Sequence, residues 1–327
     1  MEFYCGVIFC CCDFNYYFWF KLDYVEFEFS SNVTLNYIFM IQVYYLRYLE
    51  LIKPKIIFGN MISLIGAFFL ASKGCINFSL LFSSMIGTSF IIASACMMNN
   101  IIDRDIDRKM QRTKNRILAK KLLPIKIIFC FAVIFFILGL SIFYFFINIL
   151  AILLILIAFF IYVVLYSLYM KRNSHYSTLI GSLSGAIPPV VGYCSVIKHF
   201  DICAFILLLM FVFWQIPHSY AITILHFNDY KQVKIPLLPI VKGIMVAKCH
   251  IILYILCFIL CSCTLTVMNY TGYKYLFCSV LLGFFWFYLG LKGFYITDNV
   301  LWARKLFRFS IILIFITSIM MSVDYIS

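Results

Sequence analysis

Nine apolar runs, each roughly twenty residues long, decide most of what this chain can become. From Lys53-Pro54 onward they fall at about 56–72, 79–98, 125–146, 149–169, 179–197, 202–217, 248–268, 273–291 and 307–323. A run of that length crosses the hydrocarbon core of a bilayer as a helix, whereas spanning β-strands are about half as long and alternate in polarity. Composition agrees. The chain is 65% hydrophobic and only 12% charged, with a mean hydropathy of +1.03, where a soluble domain carries about a quarter charged residues. The sequence therefore predicts an all-α polytopic membrane protein with about nine transmembrane helices. The third and fourth runs are the hardest to separate, because only the surroundings of Asn148 interrupt them.

A net charge of +13 raises the question of nucleic acid, and the distribution of the charge answers it. Arg47, Lys53 and Lys55 precede the first run, and a basic series from Arg104 to Lys126 lies between the second and third. Lys171 and Arg172 follow the fourth run. Lys231, Lys234, Lys242 and Lys248 follow the sixth, and Lys292, Arg304, Lys305 and Arg308 the eighth. The alternate connections hold Lys73, Lys198 and Lys274. This is the asymmetry that orients a protein in a bilayer. It predicts a cytoplasmic N-terminus, cytoplasmic long loops and a C-terminus outside, with lipid and no nucleic acid as the partner. The 14 cysteines are scattered, many of them inside apolar runs, and read as small buried hydrophobes.

Residues 1–39 differ from the rest. They hold Cys10-Cys11-Cys12, a dense scatter of Phe and Tyr, and the acids Asp13, Asp23, Glu26 and Glu28. No stretch there is long and clean enough to span, and no basic region with a cleavage site marks a signal peptide. The expectation is that residues 40–327 form a single intramembrane domain beginning at Met40, and that 1–39 is a non-conforming extension outside the native coding sequence.

The chemistry is concentrated at the end of the second run. Asn99, Asp103 and Asp107 are four residues apart, so on a helix they share one face and form a strip of oxygen ligands about 12 Å long. Arg108, Lys109, Arg112, Lys114 and Arg116 follow directly. Carboxylates at a membrane surface are costly alone, and a hard divalent cation carrying a phosphate ligand resolves them. The competing reading is a solvated helix end on which acids pair with neighbouring cations. A second acidic connection follows Trp214 to Tyr220 and holds His226, Asp229, Tyr230 and Lys231, then Pro236 and Pro239. Diphosphate requires Mg²⁺ held by a few carboxylate and amide oxygens, and its departure builds negative charge that Arg and Lys stabilise.

Asn99-Asn100-x-x-Asp103-x-x-x-Asp107, with Met110-x-Arg112-Thr113-x-x-Arg116, resembles the first aspartate-rich motif of the UbiA-type intramembrane prenyltransferases, most closely their heme-farnesylating branch, the heme O synthases. Leu51-Ile52-Lys53-Pro54 through Asn60, Tyr166 to Arg172 with Gly181 to Gly192, and Trp214 through Tyr230 with Pro236 to Pro239 are similar to that branch as well. The likeness runs from about Met40 to the end. It implies a nine-helix UbiA-type bundle in the bacterial inner membrane, with a lipid-facing cavity and its active site on the cytoplasmic side. The implied reaction is farnesyl transfer from farnesyl diphosphate to a vinyl group of heme b, with Mg²⁺ as cofactor. The product would serve terminal oxidase maturation, and contact with oxidase assembly machinery is implied too. The carried-over metal ligands are Asn99, Asp103, Asp107 and Asp229, the three aspartates being the catalytic residues, and the diphosphate clamps are Lys53, Arg112, Arg116, Lys171 and Arg172. Two departures stand out: Asn100 replaces an Asp of many relatives, and Val233 stands where many have a second acid four residues after Asp229.

His218 closes the sixth apolar run and reads either as a ligand for heme iron or as a histidine capping a helix end or bonding a neighbouring loop. Pro188-Pro189 with Gly181, Gly185 and Gly192 predict a bent fifth span closely approached by other backbones. Alternatives to heme farnesylation are a UbiA-type enzyme acting on an aromatic quinone precursor and a non-catalytic oxidase assembly factor. A transporter would call for an inverted repeat, which the chain lacks.

Overall fold

Several spans start at a side chain that caps them. Asn77 accepts from the Leu80 N–H (3.1 Å) at the start of α2 (Phe78–Ile102), and Asn148 from the Ala151 N–H (2.9 Å) at the start of α5 (Ile149–Asn173). Asp201 and Asp298 do the same for α7 (Ile202–Leu225) and α12 (Asn299–Val323). Each satisfies amide donors that a helix leaves open at its N-terminus. The computed structural model describes residues 49–326; the expectations for residues 1–39 and a start at Met40 lie outside the described residues.

The remaining elements are α1 (Pro54–Ser72), the short α3 (Arg104–Asp107), α4 (Ile125–Phe146), α6 (Ser177–Ile197), the short α8 (Phe227–Gln232) and α9 (Leu238–Val241), α10 (Ile244–Val267) and α11 (Tyr273–Lys292). Among the described residues, nine helices are long and apolar enough to cross a membrane, as the apolar runs predict. Asn148 settles the uncertain separation. Besides capping α5, its amide donates to the carbonyls of Cys194 and Ser195 (3.0 and 3.3 Å), so the turn between α4 and α5 is fixed to the end of α6.

Helix ends fall beyond the apolar runs in several places. α2 continues through Asn99 and Asn100, α5 takes in Lys171 and Arg172, and α7 runs on through Pro217 to Leu225. Hydropathy marks where lipid ends, and these helices extend into the polar layer. His218 therefore sits two turns inside α7 and not at its end.

α6 is the most buried span. It packs on α1, α5 and α7, and α7 in turn packs on α10 and α12. Gly192 permits part of this: a Cβ there would lie 2.3 Å from the Leu64 carbonyl oxygen of α1. The main apolar core joins α1, α6, α7 and α10 to α12, and a second cluster joins Ile91 of α2, Phe143 of α4, Ile155 of α5 and Val191 of α6. Outward-facing side chains such as Phe145, Phe277 and Leu260 are exposed, as a bilayer-covered surface requires.

Candidate active site

α2 ends inside the acidic strip. Asp103 (φ −87°, ψ 1°) interrupts the helix, and α3 resumes with Arg104. The four-residue register survives the break, because the Asp103 N–H donates to the Asn99 carbonyl and the Asp107 N–H to the Asp103 carbonyl, both at 2.8 Å. Asn99, Asp103 and Asp107 thus share a buried face as predicted, each no more than 5% exposed. Asp105 points the other way and is exposed.

Each buried carboxylate holds a cation. Lys171 of α5 donates to Asp103 Oδ2, and Arg116 donates to both oxygens of Asp107 (3.0 and 2.8 Å). Asn99 joins the groups: its Oδ1 accepts from Lys53 Nζ (2.7 Å), while its Nδ2 donates to Asp103 Oδ2 (2.8 Å) and Ser167 Oγ (3.2 Å). Burial pushes the Lys53 amino group down to about 8, and the nearby cations Arg116 and Lys171 act in the same direction. Three of the five predicted clamps, Lys53, Arg116 and Lys171, are placed by these contacts. Arg172 is the exception to the inner site, since it donates to the exposed Asp105 (2.9 and 2.7 Å) and to the Ile102 carbonyl. These bonds hold the Asp105 carboxyl below the usual carboxylate range. Arg112 is exposed and near enough to His226 for its charge to be felt there.

Residue spacing alone does not show how α5 reaches this strip. Ile161–Met170 is a π-helix, in which each N–H bonds five residues back, an arrangement often found at functional sites. An α-helix turns about 100° per residue, so residues five apart diverge by roughly 140°. The π-segment stacks them instead. Ser167 Oγ donates to the Tyr162 carbonyl five residues back (2.8 Å) while receiving Asn99, and Lys171 stands five residues beyond Tyr166. Tyr162 and Tyr166 stack with ring centroids 5.8 Å apart, and both lie within electrostatic reach of Asp103. Tyr162, Tyr166 and Ser167 are site residues that spacing alone did not reveal.

The second connection closes over the first by apolar contact. Ile106 and Met110 pack with Ile235 and Leu237, flanked by Tyr230, Val233 and Ile240. Asp229 is half-buried and interacts with His226. Burial first, then the Arg112 charge, pushes His226 down to about 4, so it is neutral at physiological pH. Among the described residues no three His, Cys, Asp or Glu side chains converge as a metal cluster; Asp103 and Asp107 hold cations, and Asp229 stands apart from them. Asp103 Oδ1 is nevertheless buried without a hydrogen-bond partner. An amide and carboxylates with an open oxygen suit a hard, oxygen-seeking cation, so the donor set fits Mg²⁺.

His218 faces α12. Its Nδ1 lies 2.7 Å from Ser310 Oγ, which is itself 2.7 Å from the Phe307 carbonyl, so the ring is fixed to α12. Trp214 and Phe307 lie against the ring, with centroids 4.8 and 4.7 Å away.

The UbiA prenyltransferase family matches residues 60–314. This chain belongs to that family. Among curated relatives it is 51% identical over 279 residues to a protoheme IX farnesyltransferase of Pseudomonas savastanoi pv. phaseolicola, covering 85% of this chain and 95% of that protein. It is 53% identical, over 85% of this chain and 95% of the relative, to proteins of the same name from Yersinia pseudotuberculosis and Photorhabdus laumondii. Its fold matches a digeranylgeranylglyceryl phosphate synthase (TM-score 0.70, 21% identity, 85% of this chain and 97% of the other). It also matches a UbiA homologue of Archaeoglobus fulgidus solved with GPP and Mg²⁺ (TM-score 0.60, 14% identity, 84% and 99%). The chain is a UbiA-type prenyltransferase and a multi-pass integral membrane protein.

Proposed function

We propose that this UbiA-family protein transfers a farnesyl group from farnesyl diphosphate to a vinyl group of protoheme IX, producing heme O and diphosphate. The observation that carries the diphosphate half is the buried strip in which Asn99, Asp103 and Asp107 meet Lys53, Lys171 and Arg116. The heme half is supported by likeness to relatives named for that acceptor. The proposed orientation puts the N-terminus and this site in the cytoplasm and the C-terminus outside, on the charge asymmetry of the connections. The bacterial inner membrane is the proposed location.

Mg²⁺ would be held by Asn99, Asp103, Asp107 and Asp229, and when bound it supplies Lewis-acid neutralisation of the diphosphate charge. Lys171 and Arg116 turn from carboxylate to phosphate oxygens when substrate enters, which frees Asp103 and Asp107 as ligands. The C–O bond to the prenyl C1 breaks and its electron pair leaves with diphosphate. Arg112, Arg116 and Lys171 stabilise that developing charge, while Lys53 holds the diphosphate equally in substrate and transition state. The terminal carbon of the vinyl group bonds to C1. The cation left on the inner vinyl carbon takes up water, which loses a proton to give the hydroxyethylfarnesyl side chain. Tyr162 and Tyr166 lie beside the strip, where their π faces favour the allylic cation. His218 is the proposed group for seating the heme iron.

The test uses membranes containing the full chain, supplied with heme b, farnesyl diphosphate and Mg²⁺. Heme O, identified by chromatography and mass, is the expected product. Its absence from active membranes that convert another aromatic acceptor would overturn the heme reading.

A further inference from the structure

Asn100 stands next to the acidic strip and takes no part in it. The residue is 4% exposed and its side chain bonds outside the strip, with Nδ2 donating to the Leu51 carbonyl at 3.0 Å. Leu51 is buried against Met97, Ile117 and Leu118, two residues before Lys53. Lys53 itself has φ 51° and ψ 65°, with no side-chain cap, immediately before Pro54. That left-handed conformation is sparsely populated for a residue with a Cβ, and a following proline disfavours helical backbone further. Such a residue persists where its surroundings over-determine it. Two neighbouring side chains of α2 supply that restraint: Asn100 holds the backbone at Leu51, and Asn99 holds the amino group of Lys53 at 2.7 Å.

We propose that Asn100 is a positioning residue that fixes the Leu51–Lys53 turn so that the Lys53 amino group reaches the diphosphate site. The inference rests on the reading of Lys53 as a diphosphate-binding cation. It also explains the residue type. The partner at Leu51 is a carbonyl, which requires a donor, and an amide has one where a carboxylate has none. Asp at this position would set two acceptors against each other and add a negative charge beside the buried strip. Asn100 Oδ1 is left buried without a partner, so the side chain is retained for its N–H.

A double-mutant cycle on the full chain in membranes tests this, reading kcat and KM for farnesyl diphosphate. Asn100→Leu and Lys53→Ala are each expected to raise KM about tenfold with kcat little changed, the pattern of lost ground-state binding. The double variant is expected to be no worse than Lys53→Ala, because Asn100 acts only through Lys53. Asn100→Ala, which removes the donor without adding charge or bulk, replaces Asn100→Leu in the cycle if the latter does not accumulate. Multiplying effects in the double variant would overturn the proposal, as would an unchanged KM in both Asn100 variants. An unchanged KM in Lys53→Ala alone would remove Lys53 from the diphosphate site and the proposal with it, leaving the other clamps untouched.

Discussion

The two connections that cover the candidate site are built on different physical grounds. The first, from Asn99 to Arg116, places Asn99, Asp103 and Asp107 in buried contacts with cations drawn from three parts of the chain: Lys53 before α1, Lys171 at the end of α5, and Arg116 of its own loop. The second, from His226 to Val241, leaves Asp229 half-buried and joins the first through Ile235 and Leu237 on Ile106 and Met110. One is held by charge and the other by apolar contact. A charge network in low dielectric is strong when complete and costly when one member is missing, whereas apolar contact lets a half-buried carboxylate remain adaptable. The first connection therefore sets the geometry of the site and the second adjusts to what occupies it.

The largest test of that contrast is Asp103→Ala. It removes a proposed metal ligand and leaves Lys171, whose side chain is 15% exposed, without its partner, a loss that for a buried pair costs about 3–5 kcal/mol. Heme O formation is expected to fall by about 100-fold or more, the scale of losing a preorganised electrostatic group. Asp103→Asn separates chemistry from folding: it keeps the volume and an acceptor for Lys171, so thermal stability should recover while activity does not. Activity recovering along with stability would show that Asp103 acts only as a structural partner. Asp107→Ala, which strands Arg116, should behave alike.

Much of this was legible in the chain, for a simple reason. Apolar length and charge asymmetry are read one residue at a time, and they mark all nine membrane-crossing helices among the described residues. The register of Asn99, Asp103 and Asp107 was legible too, because a four-residue spacing survives a break that keeps its backbone bonds. What pairs with what was not. Lys171 and Arg172 are adjacent in sequence, yet one turns inward to Asp103 and the other outward to Asp105. Nothing local distinguishes them; the π-helix preceding them sets the rotation, and sequence periodicity assumes the α-helical one. The helix ends were missed where polar residues continue a helix past the lipid, as at Asn99, Lys171 and His218.

Asp229→Ala is expected to have a smaller effect. Its carboxylate forms no ion pair among the described residues, so its removal strands no buried cation, and the apolar contacts that dock the second connection remain. A fall of about tenfold in heme O formation, 1.4 kcal/mol of transition-state stabilisation, and little change in thermal stability would fit an adaptable ligand. A loss as large as that of Asp103→Ala would mean that both connections are equally organised by charge, and the contrast between them would fail.

The smallest effect is expected from Asp105→Ala, and it is the most informative about direction. Asp105 lies two residues from both Asp103 and Asp107 and also carries a two-bond arginine partner, so by sequence and pairing alone it resembles them. It differs in exposure: its side chain is 54% exposed, and that of Arg172 is 35%. An ion pair in that setting is screened by water and contributes little. Arg172 also retains its bond to the Ile102 carbonyl at 2.7 Å, which keeps the end of α5 attached to the end of α2 without Asp105. Heme O formation within about threefold of the unaltered chain is therefore expected. A loss approaching that of Asp103→Ala would show that the outward face of this segment also handles substrate, and burial would no longer distinguish the acids that do chemistry from the one that does not.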